Sequence, residues 1–164
     1  MKRFHIFLGV ILFLVVLAFF WFIIKKNDQE ISQNQVPLEK TSPKKSAEFM
    51  AGETTIRLEV AETDRDREQG LSGRANLGAD TGMIFVFDEP DQYGFWMKDM
   101  KFPIDILWLD RDKKIVTILE SVSPNSYPKV FQPTEEAMYV IELEASKSRA
   151  LGLTEGVTLM LKGI

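Results

Sequence analysis

The chain of 164 residues has no cysteine and a single histidine, His5. Without cysteine there is no disulfide, no lipoprotein anchor and no thiol nucleophile. With its one imidazole near the N-terminal end, the remaining chain lacks the base that serine and cysteine nucleophiles use, and it lacks the nitrogen and sulfur ligands of common zinc sites. No GxxxxGKS or GxxxxGKT loop is present. The glycines of GLSGR, residues 70–74, have neither the spacing nor the strand–helix setting of a phosphate or dinucleotide loop. DRD at 110–112 lacks the glycine and distal glutamate of an EF-hand and reads as a plain turn. No metal, cofactor or catalytic residue is assigned. Positive charge is scarce as well: residues 53–164 hold 13 Lys and Arg against 20 Asp and Glu, a net of −7. Such a domain repels phosphate backbones, and no nucleic-acid partner is expected.

What is present divides the chain in three. Residues 4–24, FHIFLGVILFLVVLAFFWFII, are 21 positions without a charge if His5 is neutral. At ~1.5 Å per residue a helix of that length spans roughly 31 Å, the depth of a bilayer's hydrocarbon core. A cleaved signal peptide would have a shorter apolar run followed by a small-x-small site, whereas this one ends WFIIKK. An uncleaved anchor over residues 1–24 is the expectation, with the membrane as a partner through residues 4–24. Lys2, Arg3 and the amino group precede the span and Lys25 and Lys26 follow it, a small excess that favours the N-terminus inside and the acidic domain outside the cytoplasm. Residues 25–52, rich in Lys, Gln, Ser, Asn and Pro without an apolar period, read as a flexible linker with a reach on the order of 30 Å.

Residues 53–164 carry the fold. TTIRLEV (54–60) alternates and reads as a half-buried strand. Thr63 followed by DRDREQ and Gly70 has the cap, the acidic first turn and the glycine stop of a short helix. MIFVF (83–87) is an apolar run suited to a strand buried on both faces. Further strands are expected at 94–98, 102–109, 115–122, 137–145 and 157–162, with a second short helix at 146–153 and a three-proline loop at 124–136. The fold class is mostly β: a compact, mainly antiparallel barrel or sandwich with two short helices, preceded by the N-terminal transmembrane helix.

FWMKDMKFPIDILWLD, residues 95–110, sets charges in or between apolar strands. Alternation puts Asp105 on one face with Leu107 and Leu109, where an unpaired ionised carboxylate costs several kcal/mol. Arg74 and Lys98 are the cations expected to pair with it. Pro103, which cannot donate a ladder hydrogen bond, suggests a strand starting at a sheet edge. Trp96, Met97, Met100, Phe102 and Trp108 add adaptable apolar area beside these charges, a composition that serves a pocket or a core equally.

EQGLSGR (68–74), GMIFVFDEP (82–90), FWMKDMKFPIDILWLD (95–110) and SYP (126–128), in this order and spacing, resemble the uncharacterised bacterial and archaeal family known as domain of unknown function number 192, over nearly all of residues 54–162. The resemblance implies a barrel-like β-rich domain, often exported or membrane-attached, and no activity. Arg74, Trp96, Lys98 and Asp105 fall on the family's motif positions. Asp99 stands where the family often has Asn, adding a negative charge, and Lys113 where its turn often has Gly, which implies about 1 kcal/mol of strain if φ is positive there.

The function expected is a membrane-anchored, extracytoplasmic binding or accessory module. In it Arg74, Trp96, Lys98, Asp99 and Asp105 recognise a small ligand or an envelope protein. Two alternatives stand beside it. One is a hydrolase or lyase on envelope polymer, using carboxylates among Asp99, Asp105 and Glu120 or a Ser72–Lys98 dyad. The other is a structural domain that docks a partner through loop 124–136, with Tyr127 and Phe131.

Overall fold

The computed structural model describes residues 45–164. The anchor expected at 4–24 and most of the expected linker lie outside them. Among the described residues no helix is long and apolar enough to cross a membrane.

The element order is β1 (Ser46–Ala51), β2 (Thr54–Ala61), α1 (Asp64–Gln69), β3 (Thr81–Asp91), β4 (Phe95–Trp96), β5 (Ile104–Leu109), β6 (Ile115–Val122), a 3-10 turn (Pro124–Ser126), β7 (Val130–Phe131), β8 (Ala137–Glu144) and α2 (Lys147–Ala150). Six strands form one sheet in the order β1-β2-β3-β8-β5-β6, and β4 pairs with β7 in a separate two-stranded ribbon. All neighbours are antiparallel except β2 and β3. That parallel pair needs a crossover of a dozen or more residues, which α1 and the loop after it supply.

The domain is mostly β with two short helices, and its sheet is not closed into a barrel. β1 and β6 are its edge strands. The C-terminal segment, expected as a strand at 157–162, instead crosses from one edge to the other. Lys162 exchanges main-chain hydrogen bonds with Glu48 of β1 (2.8 and 3.0 Å), while Leu159 N–H donates to the Lys113 carbonyl (3.0 Å) and Ile115 N–H donates to the Val157 carbonyl (2.8 Å). A segment divided between two edges keeps register with neither, so only isolated bridges form.

Two further expectations need correction. SAEFMA, placed in the linker, is β1: Ala47 and Phe49 alternate into the core and the chain turns into β2 at Gly52, where φ is 59°. β5 is not an edge strand, since it lies between β8 and β6; Pro103 escapes the missing donor by sitting one residue before the strand.

Alternation sorts the core into the two faces of the sheet. Ile56, Leu58, Ile84, Leu107, Ile141 and Leu143 pack on one face, beneath Leu153, Leu159 and Leu161. Met83, Phe85, Ile104, Ile106, Trp108 and Val140 pack on the other, with Leu71 and Met97. The central strands β3, β8 and β5 are thus covered on both sides, which makes any ionisable side chain on them costly.

Candidate functional site

Asp105 is fully buried, and neither expected cation reaches it. Its Oδ1 accepts from the main-chain N–H of Ser121 (2.8 Å) and of Ser146 (2.9 Å). Its Oδ2 accepts from the N–H of Ser148 (2.9 Å) and from the Ser148 hydroxyl (2.6 Å). Ser121 and Ser146 have φ of 53° and 67°, so the carboxylate holds two left-handed residues and caps α2 from another strand. Arg74 instead makes a bidentate pair with Glu59 (2.6 and 2.8 Å). That hydrogen bond is the first cause of the raised Arg74 pKa, opposed by burial and helped by the charges of Glu59 and Glu142.

The GLSGR loop is pinned to the WMKD turn through main-chain acceptors. Gly73 N–H donates to the Asp99 carbonyl (2.9 Å), and the Ser72 hydroxyl donates to the Lys98 carbonyl (2.9 Å). The hydrogen bond linking Ser72 to Lys98 therefore runs to the main chain, and it assembles no Ser–Lys dyad. Asp99 has φ 56°, a conformation Asn and Asp tolerate best among side-chain-bearing residues. Glu120 pairs with Arg149.

The pinned loop and α1 form one wall of a cleft of about 200 Å³ whose other wall is the segment around Tyr93–Trp96. α1 starts where expected: Thr63 Oγ1 accepts from Asp66 N–H (3.2 Å), and Gly70, at φ 48°, closes it. From α1, Arg67 donates to the carbonyls of Glu62 (2.7 Å) and Val86 (2.8 Å), pairs with Asp64 (2.5 Å) and lies 5.1 Å over the Phe87 ring. Phe87 stacks on Tyr93 at 3.5 Å, and Phe95 meets Phe85 edge-on at 4.8 Å. Trp108 anchors this wall from beneath through Nε1 to the Tyr93 carbonyl (2.9 Å).

Glu142 of β8 lines the same cleft. Its side chain is 5 % exposed, between Met83 of β3 and Ile106 of β5, and its Oε2 has no hydrogen-bond partner. Burial pushes its pKa up to about 8 from an ordinary 4.5, against the opposing pull of Arg74. Glu59 lies one strand beyond Met83 on the same rung, so the Arg74–Glu59 pair and Glu142 share this face of the sheet.

The residues named from the sequence thus separate. Trp96 lines the Glu142 cleft. Lys98 and Asp99 line an adjoining cleft of about 260 Å³ that shares Glu68, Gln69 and Ser72 with the first. Arg74 borders Glu142 electrostatically, and Asp105 is sealed elsewhere. Glu142 and Arg67 were missed. A glutamate inside the apolar run YVIELEA was the available signal for Glu142.

The sequence profile of the family described as uncharacterized ACR, domain of unknown function number 192, matches residues 47–161. The chain belongs to this family. No curated protein matches it. A crystal structure from Sinorhizobium meliloti 1021, of a protein named a candidate transcription regulator, is similar with a TM-score of 0.64 and 31% identity, over 72% of this chain and 92% of that one. A protein of unknown function from Novosphingobium aromaticivorans DSM 12444 shares the fold of the family domain, with a TM-score of 0.62 and 24% identity over 71% of this chain and 83% of that one.

Proposed function

We propose that this chain is a membrane-tethered, extracytoplasmic domain that binds a small ligand in the Glu142 cleft without transforming it. The observation that carries the reading is the Glu142 carboxyl, buried in a central strand with Oε2 unpartnered, in the wall of a cleft lined by aromatic side chains. A buried polar atom left without a partner costs about 1–3 kcal/mol, and a ligand that satisfies it recovers that amount on binding. The tether is the apolar run at 4–24, and its role is to hold the acidic domain at the membrane surface. Hydrolysis of an envelope polymer is the weaker reading. Asp105 is committed to four donors, Glu120 to Arg149, and Ser72 to a main-chain carbonyl. The name of the Sinorhizobium protein is not transferred, because a domain of net −7 repels nucleic acid.

A second reading is favoured by one specific feature. Trp96, Tyr127 and Val130 are about half exposed (51%, 48% and 51%), Trp96 packs edge-on against Tyr127 at 6.3 Å, and it pairs with Val130 across the β4–β7 ribbon. This apolar patch beside the cleft suits an envelope protein docking at loop 124–136.

A fluorine NMR screen of fragments against the full chain in detergent separates the two. Hits weakened at least about tenfold by Glu142→Gln or Phe87→Ala, and indifferent to Tyr127→Ala, support the cleft; a tenfold loss is about 1.4 kcal/mol. Hits insensitive to both cleft variants overturn it.

A further inference from the structure

Resting on the small-ligand reading, we propose that the occupant of the Glu142 cleft is an organic ammonium ion. Its cationic head would be held by the Glu142 carboxylate and the surrounding aromatic rings, and its apolar body by the side chains of the cleft wall. Three observations converge on this class. The first is the buried Oε2 of Glu142, a polar atom without a hydrogen-bond partner. The second is the charge of the lining: Asp64, Glu68 and Glu142 against Arg67 alone, and Arg67 is already committed to two carbonyls and to Asp64. An anion entering this cleft would find no uncommitted cation in its lining and would meet the carboxylate of Glu68. A neutral ligand could satisfy Oε2 but would leave the charge imbalance in place. The third is the wall itself, which is lined by Phe85, Phe87, Tyr93, Phe95 and Trp96, the ring type whose quadrupoles attract cations. The wall already uses that chemistry, since the Arg67 guanidinium lies 5.1 Å over Phe87.

The charge balance makes binding depend on pH. A cation needs Glu142 ionised, and burial favours its neutral form at neutral pH. Binding therefore releases a proton, and affinity rises with pH until Glu142 is ionised in the empty protein. The charged and titratable groups facing it are Arg74 from the GLSGR loop, Glu59 from β2, Asp64, Arg67 and Glu68 from α1, and Tyr93 from the opposite wall; β3 and β5 face it with Met83 and Ile106. Tyr93 itself is raised, first by burial and then by Asp91, so it stays neutral over the range that matters.

The test is calorimetric titration of the full chain in detergent micelles with benzylammonium chloride and with benzyl alcohol, its neutral counterpart. Benzylammonium is expected to bind at least tenfold more tightly than the alcohol at pH 7.5 and to weaken by about tenfold at pH 6.5, the ratio set by one proton released per ligand. Glu142→Gln, which keeps the shape of the side chain, should abolish both the preference and the pH dependence. The comparison on the unaltered chain stands even if that variant folds poorly. Benzyl alcohol binding as tightly as the ammonium, without pH dependence, overturns the ammonium assignment and leaves the cleft reading intact. If neither binds, the ammonium assignment falls, and the fragment screen alone decides the cleft.

Discussion

Asp105 and Glu142 are buried carboxylates on adjacent strands, and their surroundings give them opposite roles. Asp105 accepts four hydrogen bonds, three of them from main-chain N–H groups, so it is a structural brace. Asp105→Asn turns one acceptor into a donor facing donors, and the expected loss is about 2–4 kcal/mol of unfolding free energy by urea titration, with fragment binding in the cleft unchanged. An unaltered stability would show that the brace is dispensable. Asp105 could be singled out from its apolar neighbours, but not its partners. Counting charges points to Arg74 and Lys98, whereas the actual donors are the main-chain amides of the left-handed Ser121 and Ser146 and the amide and hydroxyl of Ser148. Lys113 shows the reverse situation. Its φ of 64° is the positive value that the family's glycine at this turn implied, held because Asp112 and Lys114 N–H groups both donate to Asp110 Oδ1. Lys113→Gly should therefore stabilise the domain by about 1 kcal/mol, and a destabilisation would mean that the lysine contributes something beyond its strained backbone.

At the scale of elements, legibility followed locality. α1 is specified by neighbours in sequence, its cap at Thr63 and its stop at Gly70, and it forms over the expected residues. Thr63→Ala should cost about 1 kcal/mol by thermal or urea unfolding, since it leaves the Asp66 N–H without its side-chain acceptor. The apolar runs that became β2, β3, β5, β6 and β8 were equally plain, because each carries its own pattern. The strand expected at 94–98 shrinks to the two residues of β4, which pair with the two of β7; β7 exists only through that meeting, so no local pattern announces it. β1 was hidden by polar composition, with Ala47 and Phe49 as its only buried side chains. Glu142 was obscured for a related reason: its environment depends on β8 lying between β3 and β5, a fact of sheet order. Gly82 marks how closely β3 approaches β8 there. A Cβ on it would stand 2.6 Å from the Glu142 carbonyl oxygen and within 3 Å of Leu143 and Leu58 side chains. Gly82→Ala should destabilise by about 3 kcal/mol, read as a lower urea midpoint at constant m-value; a tolerated alanine would mean that the two strands can part without loss.

For the molecule as a whole, Glu142 couples folding to pH. Its pKa is raised to about 8 in the folded state from about 4.5. Below pH 4.5 the carboxyl is neutral in both states, and its burial carries no charge penalty. Between 4.5 and 8 only the unfolded chain gives up the proton, so the unfolded state gains and stability falls as pH rises, by about 1.4 kcal/mol per unit. Above pH 8 the folded state ionises too and the decline stops. The total loss is on the order of 4–5 kcal/mol, a large share of the ~5–15 kcal/mol that holds a domain together. The other carboxylates of this acidic domain add their own pH dependence, so the informative quantity is the difference between the unaltered chain and Glu142→Gln. That difference should be small near pH 5 and grow in favour of Gln by about 1.4 kcal/mol per unit towards pH 8, measured by urea unfolding at each pH. Parallel profiles would mean that the carboxyl finds a partner on ionising, with Arg74, whose charge already acts on it, the candidate to exchange Glu59 for it. If the profiles diverge, the empty domain is least stable where Glu142 is charged, and an ammonium ligand that neutralises it there must raise the urea midpoint more at pH 8 than at pH 6. Binding and folding would then draw on the same proton.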